Sequence, residues 1–451
     1  MIMTHPISPK KIASKSTLLK LLLSTFLSLG AVACGSSDSN DDSDSTPSDT
    51  ETDTGDAGDE ETDTGDNDTD DTETESDTDT GTEEDTGGGF TCTPEMNDLA
   101  AISTPTPLIS VDATVAASEN VDSPESVVNG LFHSGGSANM GTPTEDAPEW
   151  ISIEVGGGYT RLLLLWADAG WTEYNVATGG APLDYSILVS EDSTDGTDGT
   201  WEEAVAVTDN AVRTRSNSIE VSEDVAWVRL QVTSGQPDGD ATLEVILDEI
   251  SIFDISASED GMIEDAWLVL GDSITKMAME TATSSRMDTV ISENVDGFTP
   301  ILLPAAIGGT FASTAIENFE EWMALNPNFK HVTLAYGTND LWGKGSLPSS
   351  YEDNMRTLIE DLLAEGRVPH IPSIPYAPES THSTLPEANA MLQGLIEEYD
   401  LPCGPDLYTL FKENPELFDP NDTSNVHPNS RGKAEINRLW AESAVPLYET
   451  K

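Results

Sequence analysis

The chain has 451 residues, enough for two or three domains. It carries 83 acidic against 19 basic residues, a formal net charge of −64. That balance excludes a nucleic-acid partner, because phosphate binding needs clustered Lys and Arg.

At the N-terminus, Lys10, Lys11, Lys15 and Lys20 precede the 13-residue apolar run LLLSTFLSLGAVA. Such a run is too short to span a bilayer as a mature helix and suits the core of a signal peptide. It ends in Ala31-Val32-Ala33-Cys34, small residues before a Cys, which resembles a bacterial lipobox with Ala31 where Leu is commoner. The resemblance implies cleavage before Cys34, lipidation of its thiol, and an exported protein anchored to the cell envelope or surface through lipid alone. Residues 35–90 hold 23 Asp and Glu, no Lys or Arg, and almost no apolar side chain. They cannot bury enough surface to offset chain entropy, so they are expected to form a disordered, self-repelling spacer. The rest of the chain keeps 60 acids against 15 bases, an acidity suited to a salty milieu that screens self-repulsion.

From about residue 95 to 257 the composition turns β-like. Ile151 to Val155 and Val228 to Val232 alternate with period 2, and Tyr185 to Val189 and Glu249 to Phe253 are further short runs bounded by turn residues. Short strands at this density predict a β-sandwich or jelly roll. The order NGLFHSGG, EWISIEV, TRLLLLW, DYSILVSED, TWEEAV, AWVRLQV, LDEISIFDI resembles the discoidin-like, galactose-binding sandwich appended to extracellular enzymes. The resemblance implies a sugar at loops of one end, for which Trp166, Trp171 or Tyr174 would offer stacking faces; packing residues are the alternative for all three.

From about 262 the pattern changes again. Trp267 to Leu270, Ile301 to Leu303 and His331 to Ala335 are continuous apolar runs, as in strands buried on both faces. Val368 to Ile374 is a fourth, interrupted by prolines. Met355, Leu358, Ile359 and Leu362 predict one helix ending near Gly366, Met391 to Tyr399 a second, and residues 431–448 a third. Alternating strands and helices predict a parallel sheet covered on both faces, with sites beyond the carboxyl ends of its strands.

Three of those ends carry motifs. Gly271-Asp272-Ser273 ends the first strand, Ile307-Gly308-Gly309-Thr310 follows ILLPAA, and Gly337-Thr338-Asn339-Asp340 follows HVTLAY; Val426-His427-Pro428-Asn429 precedes the last helix. Acyl transfer asks for such a set. A serine hydroxyl needs a base to take its proton, His is the usual base near neutral pH, and the tetrahedral oxyanion needs pre-placed donors.

In this order the motifs resemble the SGNH (GDSL) hydrolase family over residues 262–450. The resemblance implies an α/β/α flavodoxin-like fold and ester hydrolysis, with Ser273 as nucleophile, His427 as base, and Gly309, Asn339 and the N–H of Ser273 as oxyanion donors. Two positions depart from the family pattern. Ser424 stands where an Asp usually precedes the His by three residues, and Pro304-Ala305-Ala306 replaces a frequent Asn. Asp422 is the candidate to orient His427, ahead of Asp406 and Asp419. A backbone carbonyl, or no orienter in a crippled enzyme, are the alternatives. Asp272 and Asp340 are expected to brace loops. His5, His133, His331, His370 and His382 read by default as surface histidines without a catalytic role; His370 and His382 flank a strand end, and lining the cleft is the alternative for these two.

The chain is thus expected to be multi-domain: signal peptide 1–33, acidic linker 34–90, carbohydrate-binding-like β-sandwich 91–258, and hydrolase domain 259–451. No metal site is expected, for want of zinc-type spacing, and no cofactor, since IGGT lacks the Lys of a phosphate loop. Cys92 and Cys403 either pair or stay free, and the oligomeric state is open. The expected activity is removal of short acyl groups, most plausibly acetyl, from a carbohydrate ester. A lipid esterase and a degenerate glycan-binding protein are the alternatives.

Overall fold

The structure is a computed structural model that describes residues 90, 101–131, 136–169, 180–237, 243–258 and 261–448. The leader with Cys34, the acidic stretch up to residue 89, Cys92, His133, Trp171 and Tyr174 lie outside the described residues. All described residues belong to one compact unit, Gly81–Lys451.

Among the described residues, nine strands precede residue 255: β1 Val115–Ala117, β2 Ala138–Asn139, β3 Glu149–Glu154, β4 Arg161–Asp168, β5 Pro182–Ser190, β6 Glu202–Val207, β7 Thr214–Glu220, β8 Trp227–Gly235 and β9 Ile246–Asp254. They form two antiparallel sheets, ordered β1-β3-β8-β5-β6 and β2-β9-β4-β7. The period-2 pattern read from Ile151 and Val228 has its cause here. Ile151, Ile153, Leu230 and Val232 from one sheet share a core with Leu162, Leu164, Ile250 and Ile252 from the other. Trp166 is fully buried in that core, edge-on to Tyr185 at 5.7 Å. It is a packing residue, which removes it as a sugar-stacking candidate.

Strand β4 does not alternate, because both of its faces are covered. Leu163 and Leu165 point away from Leu164 and join Phe253, Ile255, Leu268 and Ile301 in a second apolar cluster. That cluster crosses residue 258 without a break, so the β-rich part and the following α/β part share a continuous hydrophobic interior.

The α/β part contains β10 Ile263–Gly271, β11 Ile301–Pro304, β12 Phe329–Ala335 and β13 Val368–His370, all parallel, in the order β11-β10-β12-β13. A parallel bridge from Ile371 to Cys403 extends the same edge by one position. This is the strand order of flavodoxin-like sheets, whose topological switch falls between the first and third strands.

Three layers follow from the pleat. Leu268 and Leu270 face α3 (Ala312–Leu325), α5 (Ser349–Ala364) and α7 (Leu385–Glu398), while Trp267 and Val269 face α1 (Ser273–Met279), α2 (Met287–Asn294), α8 (Leu407–Glu413) and α9 (Ser430–Ala444); two short helices, α4 (Thr338–Leu341) and α6 (Glu379–His382), follow β12 and β13. The helices expected around 355–362, 391–399 and 431–448 are α5, α7 and α9.

Cys403 is disulfide-bonded, which removes the free-thiol alternative for that residue. Tyr448, bridged in parallel to Ile102, donates its hydroxyl to Asp265 Oδ1 at 2.5 Å. Burial pushes the Asp265 carboxyl up to about 7, so the fold favours its neutral form. Stability from this group is complete below the ordinary carboxylate range and is lost as pH rises through about 7. The melting temperature is therefore expected to fall between about pH 4 and about pH 7, with that fall reduced in Asp265→Asn, whose amide cannot ionise. Identical slopes for the two proteins between about pH 4 and about pH 7 would count against this assignment.

Candidate active site

The site is built at the carboxyl ends of β10 and β12, on either side of the switch point. Strand β10 ends at Gly271, and the chain turns directly into α1. Asp272 caps that helix, its carboxylate accepting from Ile274 N–H at 3.0 Å, as short acceptor side chains do at helix starts. Ser273 is therefore the first helical residue and sits half-buried at the sheet edge.

His427 comes from the loop before α9. Asn429 caps α9 by accepting from the N–H groups of Arg431 and Gly432, and its amide donates to the carbonyls of Glu416 and Phe418. The loop is thereby pinned at its base, and His427 Nε2 lies 3.0 Å from Ser273 Oγ.

The residue behind the histidine is Asp422, whose Oδ2 is 3.1 Å from His427 Nδ1. A carboxylate can only accept there, so Nδ1 carries the proton and Nε2 is left to accept from the Ser273 hydroxyl. Asp422 also accepts from the N–H groups of Ser424 (3.0 Å), Val426 (3.0 Å) and His427 (2.9 Å), and from Ser424 Oγ at 2.6 and 2.7 Å. Partial burial alone would push this carboxyl up. The hydrogen bonds from Ser424, His427 and Val426 outweigh burial and hold it well below the usual carboxylate range.

The five-residue spacing from Asp422 to His427 is absorbed in the loop, where Asn425 adopts a left-handed φ of 51°, a conformation Asn tolerates better than most residues. Ser424, which stands where the family pattern has its acid, supports the acid instead. A short polar pair two residues apart is the signature of a local side-chain turn, the sequence signal that identifies Ser424 as a donor. The other acids are engaged elsewhere. Asp406 caps α8 and takes Ser373 Oγ at 2.9 Å, and Asp419 binds Asn421.

The remaining segments converge on the same edge. Asn339 Nδ2 donates to Thr310 O at 2.9 Å, joining the GTND loop to the IGGT loop. Gly309 is exposed with φ of 75°, where any side chain would be strained. Gly337 has φ of 136°, and a Cβ there would lie 2.5 Å from Ile374 Cδ1, so both dihedral and space demand glycine. Asp340 accepts from Ala312 N–H at 3.2 and 3.3 Å, at the start of α3. Burial pushes Asp340 up to about 6 and Asp272 up to about 7, the latter raised further by Asp340. Both acids brace loops, as expected.

His370 and His382 do not line the cleft. His370 is buried in the sheet, its Nε2 2.8 Å from His331 Nδ1, with His331 stacked on Trp267 at 4.3 Å. Burial holds both histidines well below their ordinary range, so they are neutral core residues. His382 is also buried and donates from Nε2 to Thr338 O at 3.0 Å, which steadies the segment carrying Asn339. Among the described residues no group of three His, Cys, Asp or Glu could hold a metal ion, and no helix is long and apolar enough to cross a membrane.

Residues 269–434 match the model of the GDSL-like lipase/acylhydrolase family. The matched GDSL-like domain contains Ser273, Gly309, Asn339, Asp422 and His427. No curated protein matches the chain. Among solved structures, the chain is similar to the acetylxylan esterase Axe2 of Geobacillus stearothermophilus, at 19% identity over 42% of this chain and 97% of the other, with a TM-score of 0.34. A lipase/acylhydrolase of Enterococcus faecalis aligns at 16% identity over 41% and 98% of the two chains, TM-score 0.34. The protein YXIM of Bacillus subtilis aligns at 16% identity over 73% and 89%, TM-score 0.37.

Proposed function

We propose that the GDSL-like domain is a serine esterase that removes short acyl groups, acetyl above all, from a carbohydrate. The observation that carries this reading is the hydrogen-bonded chain from Ser273 Oγ to His427 Nε2, and from His427 Nδ1 to Asp422.

Ser273 Oγ attacks the ester carbonyl while His427 Nε2 takes its proton. Negative charge on the carbonyl oxygen is held by the N–H groups of Ser273 and Gly309 and by the Asn339 amide hydrogen not used on Thr310. His427 then hands its proton to the departing sugar alcohol. Water, deprotonated by the same histidine, releases the acyl group and restores the serine. Asp422 keeps the imidazole in the required tautomer and stabilises the imidazolium.

The substrate class rests on three considerations. The net charge of −64 repels anionic headgroups and favours a neutral substrate. The β-rich part, read as a discoidin-like sandwich, suits glycan capture. Export and lipidation at Cys34 would place the enzyme where polysaccharides are met.

The test is acid release by the full chain from acetylated xylan and from a long-chain ester. Turnover of the former and little of the latter is expected. Preference for the long chain would make the protein a lipid esterase. Glycan binding with no turnover of any ester would make it a binding protein.

A further inference from the structure

Among the described residues, two strongly exposed rings take no part in the mechanism. Phe311 and Trp342 are 44% and 43% exposed, and they are the aromatic members of the exposed large hydrophobic residues in the described part of the chain. Singly, an exposed ring needs no explanation. These two occur on the two loops that supply the oxyanion donors. Phe311 follows Gly309 by two residues and precedes α3; Trp342 follows Asn339 by three and ends the short helix Thr338–Leu341.

The loops are also bonded to each other on both sides of Phe311. Asn339 holds the Thr310 carbonyl, and Asp340 holds the Ala312 N–H. That places Phe311 beside the short turn from which Trp342 emerges. Trp342 is anchored at its rim. His382 meets it edge-on at 5.0 Å and 88°, and Gly343 N–H donates to Thr381 O at 2.8 Å. The indole is therefore fixed in place while a large part of it stays open to solvent.

A rigid, open aromatic face fits the C–H face of a pyranose ring, which buries apolar surface there while its hydroxyls stay in water. The acidic chain disfavours an anionic occupant. We propose that Trp342 and Phe311 form an aromatic rim that stacks the neutral sugar ring bearing the ester, and so set specificity for acylated glycans over simple esters. This inference rests on the esterase reading above and adds to it the residues that choose the substrate.

The experiment compares two acetyl esters with the full chain, acetylated xylooligosaccharide and ethyl acetate. The second has no ring to stack, so it reports on the catalytic machinery alone. Trp342→Ala is expected to raise KM for the oligosaccharide about tenfold, the size of one aromatic stacking contact, with kcat little changed. Ethyl acetate hydrolysis should stay at the wild-type rate, Trp342→Tyr should restore most of the oligosaccharide affinity, and Phe311→Ala should act in the same direction.

An unchanged KM for the oligosaccharide in Trp342→Ala overturns the proposal. So does an equal loss on both substrates, since Trp342 would then be shaping the Asn339 segment. A wild type that cleaves ethyl acetate and ignores the oligosaccharide overturns the proposal and counts against a carbohydrate substrate, while leaving the serine-esterase chemistry intact. A wild type that cleaves neither ester overturns both.

Discussion

Ser273→Ala is expected to abolish ester hydrolysis, with kcat falling by roughly four to six orders of magnitude. The alanine keeps the fold, because the helix start depends on the Asp272 carboxylate and not on the serine hydroxyl. Removing Oγ also deletes the partner of His427 Nε2 at 3.0 Å, so no other group is poised to attack. What rate survives comes from substrate binding and from the oxyanion donors, which still favour attack by water. The measurement is steady-state acid release from an acetyl ester, with the melting temperature recorded on the same samples. A variant that melts like the wild type and hydrolyses at the wild-type rate would falsify the assignment of Ser273.

Asp422→Asn should come next in size, with kcat lower by roughly 10⁴-fold near neutral pH. The amide can present an N–H to His427 Nδ1, which favours the wrong tautomer and withdraws the charge that stabilises the imidazolium. Ser424→Ala should be milder, about tenfold at most, because the N–H groups of Ser424, Val426 and His427 still point at the carboxylate.

The pH dependence separates this role from a merely structural one. Hydrogen bonding lowers the folded pKa of Asp422 below its unfolded value. Its contribution to stability is therefore complete above the ordinary carboxylate range and is lost as pH falls through the folded value. At neutral pH the group is fully ionised, so the acid limb of wild-type activity should not belong to Asp422. Melting temperatures taken down an acid series should converge for wild type and Asp422→Asn as the wild-type carboxylate protonates. If the two proteins hydrolyse at equal rates across the neutral range, Asp422 does not orient the base.

Much of this was legible in the chain itself. The runs at Trp267, Ile301 and His331 announced buried parallel strands, because a strand covered on both faces needs no polar alternation. The motifs at Ser273, Gly309 and Asn339 could be placed at strand ends, because Gly, Asn and Asp are residues that end strands and tolerate turns, and His427 just before the last helix. The period-2 stretches around Ile151 and Val228 likewise marked strands with one face on a core.

Other features were not local and could not be read that way. By sequence Trp166 suits a sugar platform or a packing position equally, and it fills the core between two sheets that meet only after folding. For His370 the cleft is an alternative to an ordinary histidine, and it pairs instead with His331 under Trp267, a contact made by strand register. Strand β4 is continuously apolar from Leu162 to Ala167 because a second body of chain covers its outer face, and no pattern within the strand says what that body is. The identity of the acid behind His427 belongs to the same class. Spacing left Asp422, Asp406 and Asp419 all available. The left-handed turn at Asn425 and the hydroxyl of Ser424 aim Asp422 at the imidazole, while helix capping and a local turn occupy the other two. Short-range preferences of the backbone are written residue by residue, so the sequence determined the strands, the turns and the candidate site residues. Which side chains meet across 39 or 154 positions of chain depends on packing and loop geometry, and that only the tertiary structure decided.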